Sequence, residues 1–232
     1  MPEHQTAAET LARHIARMGE PLGRLYHHLW QQVVWLNVKW NEHLELFGTK
    51  PSRIVLLNNA APRFFRIIQD LLFEETLLHI ARLTDQPASG LGKDKKRNLT
   101  IRALPPLVDD PVRSALVELV KISVEKSAFA RDWRNRHIAH LDLDLALNDG
   151  TTPLSDVTRG QINEAIESLG KVLNAIDAHY YDAETMFGFK NPIGGAISLL
   201  YVLDDGLRTA ADRDNRIRSG DFQREDMEAR DL

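Results

Sequence analysis

The sequence predicts an all-α protein, a bundle of about five or six helices, and three observations carry that prediction. From Pro21 to Phe47, the residues Tyr26, Trp30, Val33, Asn37, Trp40, Leu44 and Phe47 follow one another at steps of four and three. That is a heptad seam, a helix face that must pack on another helix. Further stretches repeat apolar residues at helical spacing, among them Pro51 to Asp85, Pro111 to Phe129 and Thr158 to Tyr181. No stretch alternates apolar and polar residues between hairpin turns, so sheet is not expected.

In order along the chain, Thr6 to Met18 forms an amphipathic helix with Leu11, Ile15 and Met18 on one face, interrupted by Gly19 and Pro21. The long seam helix follows and stops at Gly48. Its stripe serves either the domain's own core or a dimer interface, and Asn37, its one polar position, suits fixing register. In Pro51 to Asp85, Pro62 marks a kink or a new first turn. Glu74, Glu75 and His79 lie on this segment; Glu75 and His79 have metal-helix spacing, but no second such pair exists, so no metal is expected. Gln86 to Asn98 holds Pro87, Gly90, Gly92 and the basic run Lys93, Lys95, Lys96, Arg97, and reads as a mobile loop. Leu99 to Leu107 makes a short turn halted by Pro105 and Pro106. Asp109 or Asp110 caps the next helix. The segment from Asp144 to Thr158 is a loop, Thr158 to Tyr181 a helix, and Asn191 to Ala211 the last helix. The division expected is an N-terminal helical extension over 1–50, a helical bundle over 51–211, and a charged flexible tail over 212–232.

Composition narrows the function. With 29 basic and 33 acidic residues the net charge is −4, so any nucleic-acid contact must be local. The absence of cysteine excludes disulfides, thiol catalysis and thiolate metal sites, and fits a reducing compartment. The first residues lack the basic and apolar pattern of a secretion signal. The longest apolar-leaning runs, Tyr26 to Val38 and Asn191 to Leu203, fall short of the roughly 20 residues of a membrane span. The expectation is a soluble, cytoplasmic protein with no membrane partner.

Chemistry concentrates in Ala130 to Asp142, which runs Ala-Arg-Asp-Trp-Arg-Asn-Arg-His-Ile-Ala-His-Leu-Asp. If the preceding helix is straight, Leu116, Val120, Ser123, Ser127, Ala130 and Arg134 line one stripe that is apolar, then small, then cationic. A guanidinium delivered into such a crevice needs a carboxylate, with Asp70, Glu74 and Asp85 the candidates, or an anionic ligand. Arginine offers a planar fork for phosphate oxygens, histidine exchanges a proton near neutral pH, and asparagine can donate to phosphate or orient the imidazole. Arg134, Asn135 and His140 together could cleave RNA without metal or other cofactor, the 2′-hydroxyl acting as nucleophile. Six residues at about 100° each set Arg134 and His140 about 120° apart on an ideal helix. Either the helix ends near Ile138 or a second chain completes the site.

The spacing Arg134-Asn135-x-x-x-x-His140 resembles the Arg-polar-x(4–6)-His signature of the HEPN superfamily, and the wider wording from Arg131 to Asp142 is similar to its abortive-infection AbiU-type branch. Ile80-Ala81-Arg82-Leu83-Thr84-Asp85, ahead of a Gly/Lys loop, is similar to that branch as well. The resemblance covers roughly Arg53 to Arg208 and implies a HEPN-like antiparallel helical bundle and a homodimer. It further implies a metal-independent endoribonuclease acting as a toxin or anti-phage effector, with RNA as substrate and an antitoxin or other protein as partner. By match, Arg134 and His140 would be catalytic and Asn135 supporting. Arg131, Arg136 and His137 are the expected RNA contacts. Some HEPN members lack activity, so a non-catalytic module binding RNA, nucleotide or protein is the alternative. Structural roles stand beside these: Arg134 as a buried bridge, His140 as a helix C-cap, His137 as a packing residue, Arg131 and Arg136 as a solvated face.

Overall fold

The computed structural model describes residues 6–90, 96–139, 143–147, 153–188 and 194–228. Ten helices carry the described chain: α1 (Ala7–Met18), α2 (Glu20–His43), α3 (Pro51–Ala60), α4 (Pro62–Leu83), α5 (Val112–Lys126), α6 (Ala128–Trp133), α7 (Leu143–Leu147), α8 (Arg159–Tyr181), α9 (Ala196–Ser219) and α10 (Arg224–Met227). The sheet in the described residues is one antiparallel pair of two-residue strands, β1 (Ala88–Ser89) and β2 (Lys96–Arg97), which close the loop after α4. The protein is an all-α helical bundle.

Local chemistry sets several boundaries. Thr6 accepts from the Glu9 amide while the Glu9 carboxylate accepts from the Thr6 amide, a reciprocal cap that starts α1. Thr158 and Gln161 repeat the device at α8. Asp110 Oδ1 accepts from the Ser114 amide at 3.2 Å near the start of α5. The turn at Gly19 folds α1 back on α2. Gly23 makes the close approach possible, since a Cβ there would stand 2.6 Å from the carbonyl oxygen of His14.

The helices fall into two compact units. The first comprises Met1–Trp40 and Phe73–Phe189. Its core joins Leu22, Tyr26, Leu29, Val33, Leu36 and Trp40 of α2 to Leu77 and Ile80 of α4, Leu116 of α5 and Ile162, Leu169, Leu173 and Ile176 of α8. The α2 stripe therefore packs into its own domain. Its buried line keeps the heptad step but is set by Leu22, Leu29 and Leu36, while Trp30 and Asn37 are only half-buried and Asn37 donates to the Val33 carbonyl. Antiparallel packing is explicit. Tyr26 meets Asp177 and Trp40 meets Asn163 between α2 and α8, while Ser123 meets Ser168 and Lys126 meets Glu164 between α5 and α8.

The second unit comprises Asn41–Leu72 and Lys190–Leu232. Here α3 packs on α9 around Leu46, Leu57, Phe65, Ala196 and Leu200. Glu42 Oε2 accepts from the Ala196 amide at 2.5 Å, a carboxylate on the positive end of α9. The last long helix extends past the expected end at Ala211 to Ser219, and the Arg216 guanidinium then holds Asp226 of α10 through two hydrogen bonds.

Candidate functional site

The helix entering Ala130 to Asp142 is not straight. α5 ends at Lys126, Ser127 leaves the helical conformation with φ −97° and ψ 8°, and α6 restarts at Ala128. The stripe nevertheless holds: Leu116, Val120, Ser123, Ser127 and Ala130 are buried, and Arg134 follows half-buried. Beyond α6, residues Arg134–Ile138 form a widened π turn, closed by the Ala139 amide donating to the Arg134 carbonyl at 2.8 Å. Such turns are rare and recur at functional sites. Regular α-helix thus stops at Trp133 and the π turn at Ile138, which agrees with the first of the two alternatives for this segment, a helix that ends near Ile138. His140 and Asp142 themselves lie outside the described residues.

Two sequence segments about fifty positions apart meet here. Arg134 Nη1 donates to Asp85 Oδ2 at 2.5 Å, and its Nε donates to Asn135 Oδ1 at 3.0 Å. Of the three carboxylates open to Arg134 on sequence, Asp85 is the partner. One turn earlier, Arg131 donates from Nη1 to Thr84 Oγ1 at 3.1 Å and from Nη2 to the Val124 carbonyl at 2.6 Å. Thr84 is fully buried and its hydroxyl donates back to the Ile80 carbonyl. The segment Ile80 to Asp85 is therefore the platform that carries the arginines.

The cluster is electrostatically crowded. Burial, then the neighbouring Arg102 charge, hold the Arg131 guanidinium below its ordinary value; Asp85 opposes this and Arg134 adds to it. Arg102 and Arg134 thus lie near enough to Arg131 to disfavour its charge, with Asp85 acting against them.

The remaining predicted residues divide. Asn135 is exposed beside Arg134. Arg136 lies 3.6 Å from Asp132 one turn back, with its side chain 22% exposed. His137 Nε2 stands 3.6 Å from Glu74 Oε1, and its ring meets the edge of Trp133, which in turn packs on Phe73. Trp133 also donates to the Ser155 carbonyl. Arg134 and Asn135 are brought together; Arg131 and His137 are tied into the scaffold around them. Glu75 is engaged by Lys39 at 2.8 Å, and among the described residues no three His, Asp or Glu side chains gather as a metal site. Lys93 and Lys95 lie outside the described residues, while Lys96 and Arg97 are exposed on β2.

Sequence reasoning missed two features. His79 is only 4% exposed, neither ring nitrogen has a hydrogen-bond partner, and it lines a cavity of about 290 Å³ that reaches Asp85. A larger cavity, about 530 Å³, lies among α1, α2 and α8, walled by Arg13, His14, Tyr26, His27, Trp30 and Tyr181. There His14 Nδ1 is 3.3 Å from His27 Nδ1, and Asp177 accepts from both Tyr26 and Thr185. The available signal was the Gly19 turn, which brings residues on either side of it face to face.

A family model described as AbiU2, of the HEPN class (HEPN_AbiU2), matches residues 19–192. No curated protein and no solved structure matches the chain. The match includes both segments of the arginine cluster and begins after α1.

Proposed function

The chain belongs to the AbiU2 family of HEPN proteins, and from that premise we propose that it is an endoribonuclease of abortive-infection type, working through Arg134 and His140. The observation that carries this reading is the Arg134 guanidinium, fixed at the widened turn by Asp85 and Asn135 with Arg131 close by. In the proposed reaction His140 takes the proton of a ribose 2′-hydroxyl, or protonates the leaving 5′-oxygen. The 2′-oxygen bonds to phosphorus as the 5′-oxygen bond breaks, leaving a 2′,3′-cyclic phosphate and a free 5′-hydroxyl. Arg134 stabilises the charge gathering on the phosphoryl oxygens, and Asn135 holds the guanidinium plane through Nε. Arginine supplies the charge that a metal supplies in other nucleases, so the activity is expected to survive chelation. A homodimer would place two such sites together, and a partner protein such as an antitoxin would restrain them.

The test is cleavage of RNA in EDTA by the wild type, Arg134→Ala and His140→Ala. Cleavage lost in both variants supports the reading; equal cleavage by all three ends it. A second reading, a non-catalytic RNA-binding module, draws support from Arg134 having both Nη1 and Nε already hydrogen-bonded within the protein. It predicts RNA binding with no cleavage by any of the three.

A further inference from the structure

The cavity of about 530 Å³ among α1, α2 and α8 lies in the size range of small-molecule sites. The turn at Gly19 creates it by folding α1 back on α2. Ala7, Thr10, Arg13 and His14 of its wall precede residue 19, where the family match begins. The site therefore goes beyond what the family accounts for, and it shares no residue with the cluster around Arg134.

Asp177 sets the charge of this wall. The residue is 5% exposed, and its carboxylate accepts from the Tyr26 and Thr185 hydroxyls. A carboxylate has about four acceptor positions, so these two neutral donors leave room for more. Among the described residues no lysine, arginine or histidine forms an ion pair with it, although buried charges are otherwise paired or bound to a metal.

The rest of the wall selects the class of ligand. Arg13 and Glu184 are both exposed and offset one another in charge. The imidazoles add none near pH 7. Burial, then His27, then Arg13 push His14 down to about 4, and burial, then His28, lowers His27. One negative charge, on Asp177, is thus left uncompensated in a wall that includes Tyr26, Trp30 and Tyr181. Aromatic rings present a negative face, and beside a carboxylate they favour an organic cation over an anion or a neutral molecule. A metal ion fits less well, because among the described residues no three His, Asp or Glu side chains gather to hold one.

We propose that this cavity binds an organic ammonium ion, with its charge on Asp177 and its alkyl groups against Trp30 and Tyr181. The proposal is independent of the ribonuclease reading.

The experiment uses the full-length protein at pH 7.5 with four probes: choline, butylamine, 3,3-dimethyl-1-butanol and pivalate. The alcohol has the shape of choline without its charge, and pivalate carries the opposite charge. Calorimetric titration at constant ionic strength measures binding, and the Trp30 indole N–H resonance reports its place. The expected result is that at least one cation binds about tenfold more tightly than the alcohol and moves the Trp30 resonance. Asp177→Asn, which keeps the shape, and Trp30→Leu should each weaken that binding about tenfold. Should Asp177→Asn fail to fold, Trp30→Leu decides, since Trp30 is only half-buried. Cations that bind no better than the alcohol overturn the proposal. So does cation binding that Trp30→Leu leaves unchanged. Pivalate binding more tightly than either cation also overturns it and gives the site to Arg13.

Discussion

Arg134 and Asp85, forty-nine residues apart in sequence, are joined by a 2.5 Å hydrogen-bonded ion pair at the start of the widened turn. The carboxylate holds the guanidinium plane while one face of the pair remains partly exposed, with side chains 22% and 32% accessible. In the proposed reaction Asp85 is a positioning residue that acts through Arg134.

Replacing it by Asp85→Asn keeps the shape and removes the charge. RNA cleavage is expected to fall about tenfold to a hundredfold in kcat with KM within about threefold, because the loss falls on transition-state charge stabilisation. Arg134→Lys should lose at least as much, since an ammonium cannot span Asp85 and Asn135 in one plane. Steady-state kinetics on one RNA check both, and wild-type kcat in Asp85→Asn removes the positioning role.

Arg131 is expected to act on stability more than on RNA. Its two hydrogen bonds, to Thr84 and to the Val124 carbonyl, tie α6 to the end of α4 and to α5. Arg131→Ala should cost about 2 kcal/mol, read from urea unfolding at constant m-value. The salt slope of RNA binding should stay as in the wild type, because Arg131 would then neutralise no phosphate.

Acid should weaken the fold through buried histidines. Burial, then His27, then Arg13 push His14 down to about 4, and burial pushes His79 to about 4 as well, against an ordinary value of 6.5. Between those limits the unfolded chain binds protons that the folded chain refuses. Stability is therefore full above pH 6.5 and is lost as pH falls towards 4. From pH 7.5 to 5.0 each ring should contribute about 2 kcal/mol of that loss. Thermal melts should show a shallower pH slope in His14→Gln than in the wild type; an unchanged slope would rule out His14 as a source.

Gly195 and Glu42 should fail as a pair. A Cβ on Gly195 would stand 2.4 Å from Glu42 Oε1, so the carboxylate must withdraw from the α9 cap. Gly195→Ala and Glu42→Ala are each expected to cost about 1 kcal/mol, and the double variant little more than either alone. Chemical denaturation of the four proteins measures the coupling.

The sequence by itself determined the helices. Steps of three and four and the breaks at Gly19 and Pro62 are local signals, and local hydrogen bonds and side-chain periodicity answer to them directly. It also marked Arg134, Asn135 and His140, because residue chemistry and spacing are visible in one dimension. It set Trp30 and Asn37 on the α2 seam with Tyr26, Val33 and Trp40, whereas the structure buries Leu22, Leu29 and Leu36 beside those three and leaves Trp30 and Asn37 half-buried, because tertiary packing chooses between overlapping faces of one helix. Likewise three carboxylates could have met Arg134, and only the placement of α4 against α6 selected Asp85. His79 and the His14–His27 contact were illegible for the same reason. Burial and the lack of a partner are properties of what surrounds a side chain, and those surroundings come from helices distant in sequence.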